Sequence, residues 1–449
     1  MSRLPGTAIL ALALAAGPAT AATTSATLDL AQAIRLARQG PAVTEAAAAV
    51  ERAEALSAQA GSALRPHLEF DAGDRFLASD PGFVIPRGAL GNPVALPLVA
   101  GERHVWTASV AVRQLIWDAG RTAALLESAG EARAAAAARR RAVVRALDLA
   151  VLQAYREAAR SQELLQVADA AVREYGALLD QVSAMVREEQ LPLADQLQAR
   201  AALEAARLQR ISVRARLDGA LAALEELVGR PVERVAPLPP VREAEAQDEE
   251  DFLAAALERR SELAALQRKA AALEARARAA RAERLPVLAG IAAAQRQEDD
   301  YLLHRNNASV AVALSVPVLD GGLAAARSAE LQAEARAARA ALERLRRRVT
   351  REVRQAWIRL GAARQSVAAA TAARSAAEEA LRLARLRYGE ELITNRELLD
   401  AEADAVRARR SLAAARIDLE AARLALLNLA GGDLLNTLDP NTPEESNHE

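Results

Sequence analysis

Residues 308–322 read ASVAVALSVPVLDGG and begin with a clean alternation. Valine or leucine occupies every second position from Val310 to Val318, and alanine, serine or proline lies between them. A strand of about 10 residues with one apolar face and one small or polar face is typical of a membrane β-barrel. The same alternation also fits a periplasmic hairpin that packs on helices, so on its own it leaves both structures open.

Three other segments share this pattern, which gives four predicted strands at about 66–76, 104–117, 286–296 and 308–319. The third pattern is the weakest, and in it Val287, Ala289 and Ile291 form the apolar face. Four strands cannot close a membrane barrel, because known barrels start at about 8. Other chains must complete it, and two chains would give eight strands while three would give twelve. Only the twelve-stranded barrel leaves an aqueous lumen, because side chains fill an eight-stranded one.

Aromatic residues are concentrated around these strands. The chain has 4 Phe, 3 Trp and 4 Tyr, and six of them lie in or beside the predicted hairpins. Aromatic girdles at the two membrane interfaces would produce this bias. The predicted interfacial aromatics are Phe70, Phe76, Trp106, Trp117 and Tyr301.

The remainder of the sequence is typical of long helices. Hydrophobic residues make up 52% of the chain but aromatic ones only 2%, and Ala, Leu, Arg and Glu dominate. Two proline-free segments, 122–186 and 323–388, each predict a helix of about 100 Å with a 3.5-residue seam. Shorter helices are expected at 30–64, 192–227, 252–284 and 396–429. Their lengths suggest that a stacked pair of short helices packs along each long one.

The chain also contains an internal duplication. An offset of 202 residues joins Asp118 to Asp320 and Gly229 to Gly431 without a gap. Upstream, Pro66 matches Pro286, so the first half carries 18 extra residues. We expect the insertion within residues 79–103, as an exposed loop.

The N-terminus resembles a secretory signal, since Arg3 precedes an apolar stretch and small residues follow. We expect cleavage after Ala21 or Ala22, although an amphipathic or buried N-terminal helix is an alternative. The expected units are the signal peptide at 1–22, a first repeat at 23–236 and a linker at 237–251. A second repeat at 252–432 and a polar C-terminal tail at 433–449 complete the chain.

Charge and residue types exclude several functions. The formal net charge of -1 gives no basic footprint for nucleic acid. The absence of Cys excludes disulfides, thiolate metal sites and a lipid-modified N-terminal Cys. The four His residues lack ligand spacing and no catalytic motif stands out, so we expect no metal, no cofactor and no enzyme activity.

Several short motifs resemble those of the TolC-like family of outer-membrane efflux and secretion channels. WDAGR at 117–121 and PVLDGG at 317–322 are similar to its strand-to-helix junctions. LQA at 197–199 and LLDAE at 398–402 resemble its turn signatures, and LVG at 227–229 and LAG at 429–431 its helix ends. The motifs are duplicated, in order and correctly spaced over nearly the whole mature chain.

The resemblance implies a homotrimer with one twelve-stranded outer-membrane β-barrel, continued in the periplasm by a twelve-helix tunnel. Such a channel lies in outer-membrane lipid and acts as the passive exit duct of a tripartite efflux or type I secretion system. Its implied partners are a periplasmic adaptor protein and an inner-membrane pump. Without Cys, the barrel alone would anchor the chain.

The resemblance also assigns roles to the helix tips, at about 186–195 and 388–397. The adaptor-contact residues would be Glu188, Glu189, Gln190, Gly389, Glu390 and Glu391. The family's usual tip glycine falls on Gln190 and Glu391. The periplasmic gate would consist of Glu397, Asp400, Asp195 and Gln198. Alternatively, these acidic residues only stabilise the start of a solvated helix.

A rival hypothesis from another class is a soluble periplasmic coiled-coil adaptor or scaffold. Such a protein would show one helical hairpin flanked by β-domains. This sequence instead shows two hairpin units with a pair of strands inside each half, which favours the channel.

Overall fold

The computed structural model describes residues 27–79, 81–240, 248–299 and 304–438. The described helices are α1 Leu30–Arg38, α2 Pro41–Ser62, α3 Arg121–Arg187, α4 Leu193–Val228, α5 Glu249–Arg259, α6 Ser261–Ala282, α7 Leu323–Gly389, α8 Asn395–Leu429 and α9 Leu434–Leu438. The described strands are β1 His67–Phe76, β2 Gly82–Ile85, β3 Leu96–Val99, β4 His104–Trp117, β5 Val287–Glu298 and β6 Asn306–Ser315. The signal-peptide prediction and Tyr301 lie outside the described residues.

The two long helices, α3 and α7, have 67 residues each. α3 packs against α2 and then α4 along its length, and α7 packs against α6 and then α8. This confirms the prediction that a pair of shorter helices lies along each long one. The predicted seams are buried at Val151 and Ala158 in α3 and at Val349 and Val353 in α7.

The prediction of one helix at 30–64 is wrong, because the chain breaks into α1 and α2 at Gly40. Pro41 has no N–H to donate and starts the second helix. The helix predicted at 252–284 is likewise two helices, and it bends at Arg260. The buried guanidinium of Arg260 donates to the Leu429 carbonyl at 2.9 Å and to Glu352 at 2.7 Å, which holds the bend.

The helices and the strands have matching orders. The four-stranded antiparallel sheet has the order β1-β4-β5-β6. Next to the sheet, the helices lie side by side in the order α2-α3-α6-α7. Further from the sheet, they lie in the order α4-α3-α8-α7. The open edges of the sheet, β1 and β6, therefore continue into the open edges of the helical layer.

The sheet has one apolar face and one polar face, which follow from its register. Phe70 pairs with Val110, which pairs with Ala294, so these side chains share a face. The apolar face carries Leu68, Phe70, Val110, Val112, Leu288, Ala292, Val310, Val312 and Leu314. The other face carries Glu69, Asp71, Thr107, Ser109, Arg113, Gln295 and Ser309.

In β5 the predicted apolar face is the wrong one. Leu288 pairs with Leu314, and Ala292 with Val310, so these residues lie on the apolar face. Val287, Ala289 and Ile291 point the other way. Small residues occupy both faces of this strand, so its own pattern could not fix the orientation.

Three local features differ from the expected strands and loop. β6 ends at Ser315, before Pro317, which cannot donate to a ladder. β4 has a bulge between Leu115 and Trp117. The insertion forms a hairpin, β2–β3, whose residues are mostly exposed, rather than an irregular loop.

The N- and C-terminal segments join the helical core near Tyr155. Leu28 forms a parallel bridge with Val235, and the buried Tyr155 hydroxyl lies 2.7 Å from the Ala236 carbonyl. Leu238, in the segment predicted as a linker, is buried in the same core. Leu434 of α9, in the segment predicted as a polar tail, is fully buried there too.

Among the described residues, no helix is both long and apolar enough to span a membrane.

Candidate functional site

The first tip begins where α3 ends in a hydrogen-bonded cap. The Gln190 N–H donates to the Met185 carbonyl at 2.9 Å, and the Glu189 N–H donates to Val186 at 3.1 Å. This pair of bonds is a Schellman motif, which needs a left-handed residue after the helix. Glu189 takes that conformation, with φ of 60°.

The second tip repeats this cap after α7. The Leu392 N–H donates to the Arg387 carbonyl at 2.8 Å, and the Glu391 N–H donates to Tyr388 at 3.1 Å. Glu391 also has φ of 60°. The expectation that the first tip glycine is replaced by Gln190 is therefore corrected to Glu189. The 202-residue offset from Glu391 already pointed to Glu189.

The predicted adaptor-contact residues form an exposed acidic surface. Glu188, Glu189, Gln190, Gly389, Glu390 and Glu391 are all exposed at the two helix ends. Four of the six are glutamates, and the exposed Arg187 and Arg387 lie in the last helical turns beside them. Within the described parts of the chain, no group of His, Asp or Glu residues is arranged to hold a metal ion.

The predicted gate residues lie in the first turns of α4 and α8. Glu397 and Asp400 are exposed, one turn apart, and Leu398 between them is buried. Gln198 is exposed and Asp195 is half-buried. Among the described residues, these four side chains form no hydrogen bond or ion pair with one another.

Glu397 also takes part in capping α8. Its backbone N–H donates to the Thr394 hydroxyl oxygen at 3.3 Å, and the Thr394 hydroxyl donates to the Glu397 carboxylate at 3.2 Å. A carboxylate in the first turn interacts favourably with the positive, N-terminal end of the helix dipole. Glu397 therefore stabilises the helix start, as the alternative interpretation holds, and Glu397 remains exposed.

The two tips are linked through Asn395, which the sequence analysis missed. Its side-chain amide donates to the Asp195 carbonyl at 3.1 Å, and only 3% of Asn395 is exposed. The Asn395 Oδ1 and the nearby Tyr388 hydroxyl are buried with no partner among the described residues. Burial, and then the charge of Asp195, raises the pKa of Tyr388. Such orphaned polar atoms are costly in a fixed structure.

A sequence signal for this pair did exist. At the 202-residue offset, Asn395 corresponds to Leu193 and Tyr388 corresponds to Val186. Polar residues in the second repeat thus replace apolar ones in the first. A comparison of the two repeats by polarity would have found both positions.

Further from the tips, ion pairs join three helices. Arg409 of α8 donates to Glu174 of α3 at 2.8 Å and to Glu378 of α7 at 3.1 Å. Arg374 donates to the same Glu378 carboxylate at 3.0 Å. These hydrogen bonds, chiefly the one from Arg374, lower the pKa of Glu378. The network therefore links α7 and α8, in the second repeat, to α3 in the first repeat.

The described interfacial aromatics are all exposed on the strands. Phe70, Phe76 and Trp106 lie on the apolar face, and Phe76 lies 6.5 Å from the His104 ring. Trp117 lies in the bulge at the opposite end of β4. Trp106 and Trp117 therefore lie near opposite ends of β4.

Solved structures share this fold. The outer membrane protein VceC from Vibrio cholerae is 20% identical, with 90% of this chain and 96% of that one covered and a TM-score of 0.74. The Neisseria gonorrhoeae MtrE outer membrane channel, in its open state, is 20% identical, with 90% and 89% covered and a TM-score of 0.73. The Campylobacter jejuni CmeC outer membrane channel is 15% identical, with 90% and 85% covered and a TM-score of 0.76.

A search of curated proteins gives no significant sequence match. Residues 33–230 and 252–432, however, match the sequence profile of a family described as outer membrane efflux protein. The two matched stretches correspond to the two repeats, and together they cover most of the chain. The TolC-like resemblance is thereby confirmed, and the chain belongs to the outer membrane efflux protein family.

Proposed function

We propose that three copies of the chain form one passive duct, which crosses the outer membrane and extends into the periplasm. The observation that carries this proposal is the matching pair of open edges in the sheet and the helical layer. β1 and α2 lie at one edge, and β6 and α7 lie at the other.

Unpaired strand edges cannot remain in lipid, because their backbone groups would lack hydrogen bonds. If β6 of one copy pairs with β1 of the next, the contact is heterologous and generates a ring. Three copies of the four-stranded sheet supply twelve strands, enough for a water-filled interior. The helical layer closes by the same rotation, with α7 of one copy beside α2 and α4 of the next.

The two faces of the sheet suit this arrangement. Val310 and Leu314 on the apolar face would contact lipid, and Val310 is 86% exposed in the single chain. Glu69 and Arg113 on the other face would line a polar lumen. Apolar-out and polar-in alternation is the pattern of membrane barrels.

The family assignment makes the protein an outer-membrane efflux channel and not an enzyme. A soluble coiled-coil adaptor is not favoured. We infer that energy comes from an inner-membrane pump, to which the duct connects through a periplasmic adaptor protein. The exposed acidic tips at the ends of α3 and α7, about 100 Å from the strands, would receive that adaptor.

We further infer that Glu397, Asp400 and Asp195, with Gln198, surround the periplasmic mouth. In a trimer, three carboxylates from each copy would lie around one axis. Such a ring would favour cations at the constriction. Asn395 would hold the two helix tips of each copy together at this mouth.

Conductance of the purified full-length protein in planar bilayers tests this function. We expect discrete steps of constant size from a water-filled pore, with cations preferred over anions. Insertion without conductance would contradict the duct, and a protein found only in the soluble fraction would contradict the membrane assignment.

A further inference from the structure

α7 has a second stripe with three- and four-residue spacing, on the side opposite its packed seam. The packed seam includes Leu342, Val349 and Val353. The second stripe consists of exposed residues, Ala333, Ala337, Ala340, Arg344, Arg347, Arg351, Gln355, Ile358 and Ala362. Ile358 is 66% exposed although it is large and apolar. Five of the nine residues are small or apolar, and the alanines would let a neighbouring helix approach this face closely.

Three arginines in this stripe, Arg344, Arg347 and Arg351, form no hydrogen bond or ion pair within the described residues. Two arginines outside the stripe do have partners, since Arg346 pairs with Glu343 at 2.7 Å and Arg354 pairs with Glu249 at 3.2 Å. The unpaired arginines thus give the open face of α7 a local positive charge.

The exposed side of α2, at the opposite edge of the layer, has a net negative charge. α2 carries three glutamates and a single arginine, Arg52, which is exposed on the same face as Glu45. Glu54 pairs with Arg133 of α3 at 3.5 Å. Glu45 and Glu51 are exposed and have no partner in the described parts of the chain.

The ion pairs between neighbouring helices show that Glu45 of α2 and Arg347 of α7 lie at about the same height, measured along the length of the helices. Glu54 faces Arg133, so Glu45 is level with about residue 142 on the antiparallel α3. Arg145 pairs with Glu262 of α6 at 3.4 Å, which makes residue 142 level with about residue 265. Arg260 pairs with Glu352 of α7 at 2.7 Å, which makes residue 265 level with about residue 347.

We propose that Arg344, Arg347 and Arg351 of one copy bind Glu45 and Glu51 of the next copy. The inference rests on the proposed ring and deepens it. A rotation about the duct axis changes no height, so it brings Glu45 beside Arg347. The alanines in the stripe let the two helices approach closely, and partial exclusion of water strengthens the ion pairs there.

Charge reversal with rescue tests this interface, read as the temperature at which the outer-membrane trimer dissociates on a gel. Glu45→Arg with Glu51→Arg should lower that temperature by roughly 5 °C or more, and so should Arg344→Glu with Arg347→Glu. The four changes together should restore most of the loss. The matched control is Arg140→Glu with Arg141→Glu. Both residues are exposed on α3, which does not lie at an edge of the helical layer, so this change should leave the temperature unchanged.

Two results would overturn the proposal in different ways. In the first, the wild type is a trimer, but the charge reversals leave its dissociation temperature unchanged, or the four changes together lower it by the sum of the two separate losses. Either outcome contradicts this interface alone. A wild-type chain that is monomeric in the outer membrane contradicts the proposed ring and the interface with it.

Discussion

Glu189 and Glu391 hold the same left-handed backbone conformation at the ends of the two long helices, 202 residues apart. A side chain in this conformation costs roughly 1–2 kcal/mol, because Cβ crowds the following carbonyl oxygen. Glycine has no such cost and is the usual residue at this position. The chain therefore retains two glutamates at its tips at the expense of stability.

Replacement of these glutamates by glycine should stabilise the protein. Glu189→Gly and Glu391→Gly should each raise the free energy of unfolding by up to about 1 kcal/mol, since the relief of backbone strain exceeds the entropic cost of ordering glycine. Thermal unfolding of the purified protein measures this. Glu188→Gly is the control and should destabilise, because Glu188 has φ of -88°. Equal effects at positions 188 and 189 would show that the backbone of Glu189 is not strained.

Removal of Arg38 should destabilise the core of the helical layer. Arg38 donates to both oxygens of Asp148, at 3.0 and 2.6 Å, and Asp148 is only 3% exposed. Burial raises the pKa of Asp148, so its charge depends on this partner. Arg38→Met should cost about 3–5 kcal/mol in denaturant unfolding.

The double variant Arg38→Met with Asp148→Leu should recover much of that loss, since no buried charge is left without a partner. Asp433→Asn is the matched comparison. Asp433 accepts from the same guanidinium at 2.6 Å but is far more exposed, so its change should cost under about 1 kcal/mol. A double variant as unstable as Arg38→Met would show that the ion pair is not the source of the loss.

Acid should loosen the network that joins the two hairpins. Hydrogen bonds from Arg374 and Arg409 lower the pKa of Glu378 below its ordinary value of 4.5. A lowered folded-state pKa means that the stabilisation is present above pH 4.5 and is lost as the pH falls through the lowered value. The unfolding temperature of the wild type should therefore fall more steeply below pH 4.5 than that of Glu378→Gln. Parallel curves for the two proteins would contradict the prediction.

Neutral gate residues should reduce cation selectivity. Glu397→Gln with Asp400→Asn removes two charges per copy, and the glutamine can still accept the Thr394 hydroxyl that caps α8. The ratio of cation to anion permeability in planar bilayers should fall severalfold. Glu226→Gln, an exposed change at the far end of α4, is the control. An unchanged ratio in the double variant would leave Glu397 with its capping role alone.

The two faces of β6 should respond oppositely to charge. Val310→Arg places a guanidinium on the apolar face and should cost about 2–4 kcal/mol in lipid, so less protein should reach the outer membrane. Ser309→Arg, one residue away on the polar face, should insert at nearly the wild-type level. The amount of folded protein in outer-membrane fractions measures both, and equal losses would contradict the assignment of faces.

Periodicity made the larger elements predictable. The seam through Val349 and Val353 and the lack of proline define α7, and strict alternation defines β6 up to Pro317. The face of β5 was not predictable, because both of its faces carry small residues and only pairing with β6 orients it. The bend at Arg260 also depends on distant partners, Glu352 and the Leu429 carbonyl.

The candidate site divides in the same way. The three-residue spacing of Glu397 and Asp400 was visible in the sequence, as was the acidic character of the tips. The contact of Asn395 with Asp195 joins residues 200 positions apart, and no local pattern encodes it. Burial of the Tyr388 hydroxyl likewise depends on the packing of one hairpin against the other.

In the proposed assembly, three copies in the outer membrane close the open edges of the sheet and of the helical layer. The mass of the complex extracted from outer membranes in mild detergent, measured by native mass spectrometry before and after heating, tests it most directly. For a trimer we expect three times the mass of the mature chain before heating, and the single-chain mass afterwards. A single-chain or two-chain mass before heating would contradict it.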